Sequence, residues 1–292
     1  MQPHDFASSV AAVSAQIAES VDTPTVYITD HVLSKTIAGA FAQGCGGETV
    51  TLPEWHDKPS INEGCRRLMD AKLNRPGPIA VYGILRGCGE VINFAKWTKN
   101  DWWHIDNGYV RQSDHINGIL NGYYRITKNG FQCTETKERP SDRWDRLRIP
   151  FAHKWKTEGR NIVVVPPSGF VSKYQGIDPD LWKRAVEAEI KKRTDRPIQV
   201  KIQKGGLEEL LPDTHCLVTH ESMSALHCQI AGVPSIALGN HCLGNLSWTW
   251  KDLEYPNYGD RIRLLKLCHS IAYEQFSLGE MRRGEAWKML ND

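Results

Sequence analysis

The chain has 292 residues, of which 40% are hydrophobic and 24% charged, with a formal net charge of +2. That length suits two domains with self-sufficient cores, and so slight a charge does not by itself mark a nucleic-acid binder. No apolar run approaches the ~20 residues of a membrane span, and the N-terminal MQPHDFASSVAAVSAQIAES lacks the basic and unbroken apolar regions of a secretory signal. In chain order, residues 5–20 read as a short helix and Thr25–Thr29 as a strand. Asp30 and His31 follow, then a helix over Val32–Gln43 closed by the glycine-rich GCGG. Glu48–Leu52 is a strand, Asn62–Leu73 a helix and Pro78–Ile84 a buried strand. After RGCGE comes a helix over Val91–Thr98, then the strand Trp102–Asp106. This alternation predicts a parallel sheet with helices on both faces. Tyr123–Lys128 is a further strand, Thr136–Arg148 a charged loop, and the aperiodic stretch after Pro150 a domain boundary.

The second half restarts the pattern. Asn161–Val165 is an uncharged strand of the kind covered on both faces. Pro179–Arg193 is a helix with Asp178 as N-cap and proline at its first position. Ile198–Ile202 is a strand, Leu207–Leu210 a helical piece, His215–Thr219 a strand, Ser222–Ala231 a helix and Pro234–Leu238 a strand. Tyr258–Glu274 and Leu278–Leu290 are closing helices. The expected division is residues 1–150, 151–275 and a closing helix in 276–292. The eight cysteines form no C-x-x-C pair and are expected as reduced thiols of a cytoplasmic protein.

The most informative stretch runs from Asp213 to Gly239, DTHCLVTHESMSALHCQIAGVPSIALG. Its turn places hydroxyls and backbone N–H groups where a helix begins, at the C-terminal end of a parallel strand, a location suited to an anion. The alternative is that Ser222 and its neighbours only cap a helix. The segment resembles the C-terminal half of GT-B-fold glycosyltransferases, on Thr219-His220-Glu221-Ser222, Ala231-Gly232-Val233-Pro234 and Gly239. Pro166-Pro167-Ser168-Gly169 is similar to that family's first nucleotide-domain loop. Trp103–Tyr109 and Tyr124–Asn129 resemble glycosyltransferase-like proteins of bacteriophages, whose proteins work in the bacterial host cytoplasm.

The resemblance implies two Rossmann-like α/β domains facing across a cleft. It implies a UDP-sugar type of donor held by Ser168, Lys173, Thr219, His220, Ser222, Met223, Ser224, His227 and Gly239. His227 stands where many such enzymes carry a ribose-binding glutamate, and an imidazole can also bond a hydroxyl. Lys173 is otherwise a solvated surface lysine.

Sugar transfer by inversion needs a base. Asp30, His31 and Asp106 follow N-terminal strands and are the candidates. Asp106 could instead make an Asx-type turn with Asn107, and His31 could be a helix-start residue capped by Asp30. No tightly bound cofactor and no metal are expected: HEXXH, Gly-Lys-Ser/Thr and GxGxxG patterns are missing. Trp248 and Trp250 read as exposed aromatics that stack a base or sugar, or else pack a cleft. The basic residues of 137–148 and 183–196 could follow a DNA backbone, or form solvated faces. The functional expectation is a nucleotide-sugar glycosyltransferase, with hydroxymethylated bases of double-stranded phage DNA as acceptor. The alternatives are a surface-polysaccharide acceptor, or nucleotide binding without catalysis.

Overall fold

A computed structural model describes residues 23–53, 61–115, 118, 120–201 and 206–292. The helix expected over residues 5–20 lies outside these, as does the end of the strand expected over Ile198–Ile202. The chain divides into two compact units. One holds residues up to 82, 86–103 and 279–292, and the other 83–85 and 104–278.

The first unit contains β1 (Thr25–Ile28), α1 (Val32–Cys45), β2 (Thr49–Thr51), α2 (Ile61–Asp70), β3 (Ile79–Tyr82) and α3 (Cys88–Thr98). β4 (Trp102–Asn107) starts in this unit and ends in the other. β1 runs parallel to both β2 and β3, with Val26 opposite Thr49 and Ala80. As expected from GCGG, Gly46 closes α1 in the left-handed conformation, φ 71°, and returns its N–H to the Ala42 carbonyl.

The second unit begins with the end of β4, followed by β5 (Tyr123–Lys128), α4 (Asp142–Leu147) and β6 (Asn161–Val165). Then come α5 (Gly169–Gln175), α6 (Pro179–Lys191), β7 (Ile198–Val200), α7 (Leu207–Leu210) and β8 (Thr214–Thr219). α8 (Ser224–Ile230), β9 (Ser235–Ala237), α9 (Arg261–Ala272) and β10 (Gln275–Ser277) complete it. The four-stranded sheet has the order β7-β6-β8-β9 and is parallel throughout. β10 pairs antiparallel with β5, Phe276 opposite Tyr124. Ile162 and Val164 point to one buried cluster of the sheet and Val163 to another, as period-2 alternation in a doubly covered strand requires. The α/β class with parallel sheets is therefore what the chain adopts.

Three local expectations change. The 136–148 stretch is not all loop: α4 buries Trp144, Leu147 and even Arg143, whose guanidinium donates to the Ala272 and Gln275 carbonyls at 2.8 Å. The expected helix over Leu278–Leu290 is two, α10 (Leu278–Arg282) and α11 (Glu285–Asn291), broken at Gly284 with φ 77°. Gly44 of α1 is needed there, since a Cβ would sit 1.7 Å from the Met281 carbonyl oxygen. Trp248 is not exposed: it is 5% accessible, edge-on to His215, and donates from Nε1 to the Asn257 carbonyl. Trp250 packs beside it against the same cluster.

All eight cysteines are buried and unpaired. Among the described residues, no helix is long and apolar enough to cross a membrane.

Candidate functional site

The four-stranded order contains a switch point. From β6 the chain turns outward to β7, and from β8 it turns the other way to β9. The loops leaving the neighbouring strands β6 and β8 therefore diverge, and open α/β sheets take ligands in the crevice made by such a divergence. The loop after β6 is Pro166-Pro167-Ser168, and the loop after β8 is His220-Glu221-Ser222-Met223.

These loops are tied together. Ser168 caps α5, its Oγ accepting from Val171 N at 3.3 Å. The far end of α5 carries Gln175, whose Nε2 donates to Glu221 Oε2 at 2.9 Å while its Oε1 lies 2.8 Å from His220 Nε2. A carboxylate only accepts, so the amide nitrogen must face Glu221 and the oxygen His220, which then carries its proton on Nε2. Glu221 Oε1 accepts from Asn240 N at 2.9 Å, which joins the loop after β9. Gly239 sits inside this bracket. A Cβ there would lie 2.5 Å from Glu221 Cγ and 2.8 Å from His220 Cε1, so the position admits no side chain without displacement.

The remaining expected donor residues divide by what already engages them. Ser168 and Lys173 are exposed. Ser222 Oγ lies 3.0 Å from Ser224 Oγ and accepts from Ser224 N at 3.2 Å. Met223 is the N-cap position of α8, which starts at Ser224 rather than Ser222 because the Ser222 side chain turns back on that N–H. Thr219 is fully buried, and its hydroxyl donates to the Val165 carbonyl at 2.8 Å, lacing β8 to β6. His227 Nε2 donates to the Tyr109 carbonyl at 2.7 Å, and burial pushes its pKa down. Thr219 and His227 thus act inside the fold.

Asp106 is linked to this edge only through intermediaries, by way of Arg125 and the 131–132 segment. Its Oδ2 accepts from Arg125 Nη2 at 2.5 Å and its Oδ1 from the adjacent Asn107 N at 2.8 Å; the Gly108 N–H that an Asx turn would use goes to the Tyr123 carbonyl at 2.9 Å instead. Burial raises its pKa, but Arg125, His104, the Asn107 N–H and His115 together lower it further, below the ordinary carboxylate value. Arg125 also donates to the Phe131 carbonyl at 3.0 Å. The next residue, Gln132, is buried; its Nε2 donates to the Glu221 carbonyl at 2.9 Å and its Oε1 accepts from Cys242 N at 3.0 Å. Phe131 meets Tyr174 of α5 edge-on at 5.6 Å.

Asp30 and His31 belong to the first unit. Asp30 is exposed and paired with Lys35 at 2.5 Å; that hydrogen bond and the ammonium charge lower its pKa. His31, not Asp30, is the N-cap of α1, with Nδ1 accepting from Leu33 N at 3.3 Å.

Among the solved structures that resemble the chain are two from one organism. One, titled "Thermosulfurimonas dismutans KpsC, beta Kdo 2,4 transferase", is 12% identical, with a TM-score of 0.49 over 87% of this chain and 92% of that one. The other, "Thermosulfurimonas dismutans KpsC, beta Kdo 2,7 transferase", is 10% identical, with a TM-score of 0.47 over 91% and 99% of the two chains. No family model and no curated protein matches.

Gln132, Gln175 and His241 were not foreseen. His241 is buried, accepts from Leu243 N at 3.1 Å and donates from Nε2 to the Ser222 carbonyl at 3.1 Å. Each acts through bonds to residues far away in sequence. Nothing in its own neighbourhood signals this.

Proposed function

We propose that the chain is a glycosyltransferase that holds the diphosphate of a UDP-type nucleotide sugar where the β6 and β8 loops diverge, and transfers the sugar to a surface polysaccharide. The observation that supports this reading is the sheet order β7-β6-β8-β9, whose switch point lies between β6 and β8, the strands that lead into Ser168, Lys173, His220, Ser222 and Ser224. Lys173 supplies positive charge, and the serine hydroxyls supply donors for phosphate oxygens. In the transfer, an acceptor hydroxyl oxygen bonds to the anomeric carbon as the bond to the diphosphate breaks. The diphosphate leaves with the electron pair, which Lys173 and the loop donors stabilise. The hydroxyl proton passes to a base if the reaction inverts.

A polysaccharide acceptor is taken over duplex DNA because several cations of the two basic stretches are buried or paired with acids of their own surface. Arg143 is buried, Arg146 pairs with Asp142 at 3.0 Å, and Lys183, Lys192 and Arg196 pair with Glu187, Glu189 and Glu254. A DNA backbone needs a track of available cations.

Calorimetry with UDP and UDP-sugars tests it. Lys173→Ala and Ser168→Ala should each weaken UDP binding several-fold. Wild-type UDP binding unchanged by both Lys173→Ala and Ser168→Ala would sink the site. Binding without consumption of any sugar donor in the presence of glycan acceptors would favour a nucleotide-binding protein instead.

A further inference from the structure

We infer that the second unit carries a separate basin, formed by Arg111, Arg146 and Arg148, that binds a carboxylate- or phosphate-bearing sugar. The cavity has a volume of about 520 Å³ and is lined by these three arginines together with Gln112, Asn121 and Tyr123. Small-molecule sites span ~300–1,000 Å³. No acidic side chain lines it.

Two acids of the neighbouring helix α4 are already engaged. Asp142 bonds Arg146 and the Tyr273 hydroxyl, and Asp145 accepts from Ser141 Oγ at 2.7 Å. Arg111 donates from Nε and Nη2 to the Leu147 and Arg148 carbonyls at 3.0 Å, which fixes the C-terminal end of α4 and holds its own charge at the rim. Arg148 is exposed, and its guanidinium has no hydrogen bond or ion pair among the described residues. Three guanidiniums facing one compensating carboxylate leave an excess positive charge in a concave site.

The backbone adds an independent sign. Arg111 has φ 52° and Arg148 φ 49°, the left-handed region that favours glycine. Arg148 occupies the closing position of α4, where glycine is the usual residue. Strain held by non-glycine residues at a cavity rim marks functional sites more often than chance. A guanidinium fork matches the paired oxygens of carboxylate or phosphate. Gln112 donates from Nε2 to the Gly108 carbonyl at 2.9 Å, which leaves its Oε1 for a hydroxyl; Asn121 adds an amide. That combination suits an anionic sugar better than a bare inorganic ion. Sugar hydroxyls, which the amides of Gln112 and Asn121 would meet, are absent from a duplex DNA backbone. The inference does not rest on the nucleotide-sugar reading and concerns different residues.

The test is calorimetric titration of the full chain with trigalacturonate, glucose 6-phosphate, neutral maltotriose and a short DNA duplex. One or both of the anionic sugars should bind, which also identifies the source of charge, and maltotriose should not. Arg148→Gly should weaken that binding at least tenfold while its melting midpoint stays put or rises, because glycine relieves the left-handed backbone. Arg146→Gln should weaken binding to a lesser degree, and UDP binding should be unaffected by either change. Maltotriose binding as well as the anionic sugars, anionic-sugar binding insensitive to Arg148→Gly, no binding of either anionic sugar, or tighter Arg148-dependent binding of the duplex would each overturn the proposal.

Discussion

Replacing Gly239 by alanine probes the bracket that joins the three loops of the candidate site. The new methyl would lie 2.5 Å from Glu221 Cγ, 2.7 Å from Glu221 Oε1 and 2.8 Å from His220 Cε1. Cβ atoms essentially never approach other atoms that closely, so either the Glu221 side chain swings away or the 239 backbone retreats. Overpacking of this kind costs about 1–3 kcal/mol. If Glu221 moves, it also gives up its bonds from Asn240 N and Gln175 Nε2, and hydrogen bonds to a charged group are worth about 1.5–3 kcal/mol. The two routes are alternatives, so the expected destabilisation is about 2–3 kcal/mol rather than their sum. Urea unfolding followed by tryptophan fluorescence reports it, because Trp182 lies edge-on to His220 in the same unit. In a Glu221→Ala background the Gly239→Ala cost should fall by at least about 1 kcal/mol, leaving the residual contact with His220. An equal cost in both backgrounds would refute the assignment of Glu221 as the obstructing group. The same variant should weaken UDP binding, since the β8 loop is displaced.

Three other outcomes follow from the same geometry. Gln132→Ala leaves the buried Cys242 N–H and the Glu221 carbonyl without their partner, and should cost about 2–4 kcal/mol in urea unfolding; a loss under ~1 kcal/mol would contradict the bridge. Burial holds the His241 imidazole down at about 4, against an ordinary 6.5, so the folded state favours the neutral ring. Its contribution is complete well above pH 6.5 and is lost as pH falls toward 4, by about 1 kcal/mol between pH 6.5 and 5.5. His227 and His215 shift in the same direction, also through burial, and unfolding midpoints that do not fall from pH 7 to 5.5 would contradict this. Asp106→Asn removes the anionic partner of the buried Arg125 and should destabilise by about 1–3 kcal/mol, discounted because Asp106 is partly exposed; no change would show that the pair is not formed.

What could be read from the sequence was set by how local each determinant is. Asn161–Val165 and Tyr123–Lys128 carry their own patterns, and both strands begin and end where those patterns do. Asp178 and Pro179 announce α6, and Asp178 Oδ1 accepts from Asp180 N and Leu181 N at 2.9 Å. By contrast, α4 looks like a charged loop because Arg143 is buried by carbonyls contributed from residues 272 and 275. β10 escapes notice because Gln275 is polar; it is buried only by pairing with β5. The strand–turn–helix of the β8 loop was legible, as were the hydroxyls it offers. That Thr219 faces inward, that His227 serves the Tyr109 carbonyl and that Gln175 clamps His220 and Glu221 depend on partners 45 to 118 positions away. No short-range signal encodes such pairings.

The central claim is that the diverging β6 and β8 loops hold the nucleotide. Hydrogen exchange of the full chain with and without saturating UDP, resolved by peptide, tests this most directly. Slowed exchange concentrated in residues 166–175 and 219–224 is the predicted result. Protection confined to other segments, with these two unchanged at saturation, would contradict it.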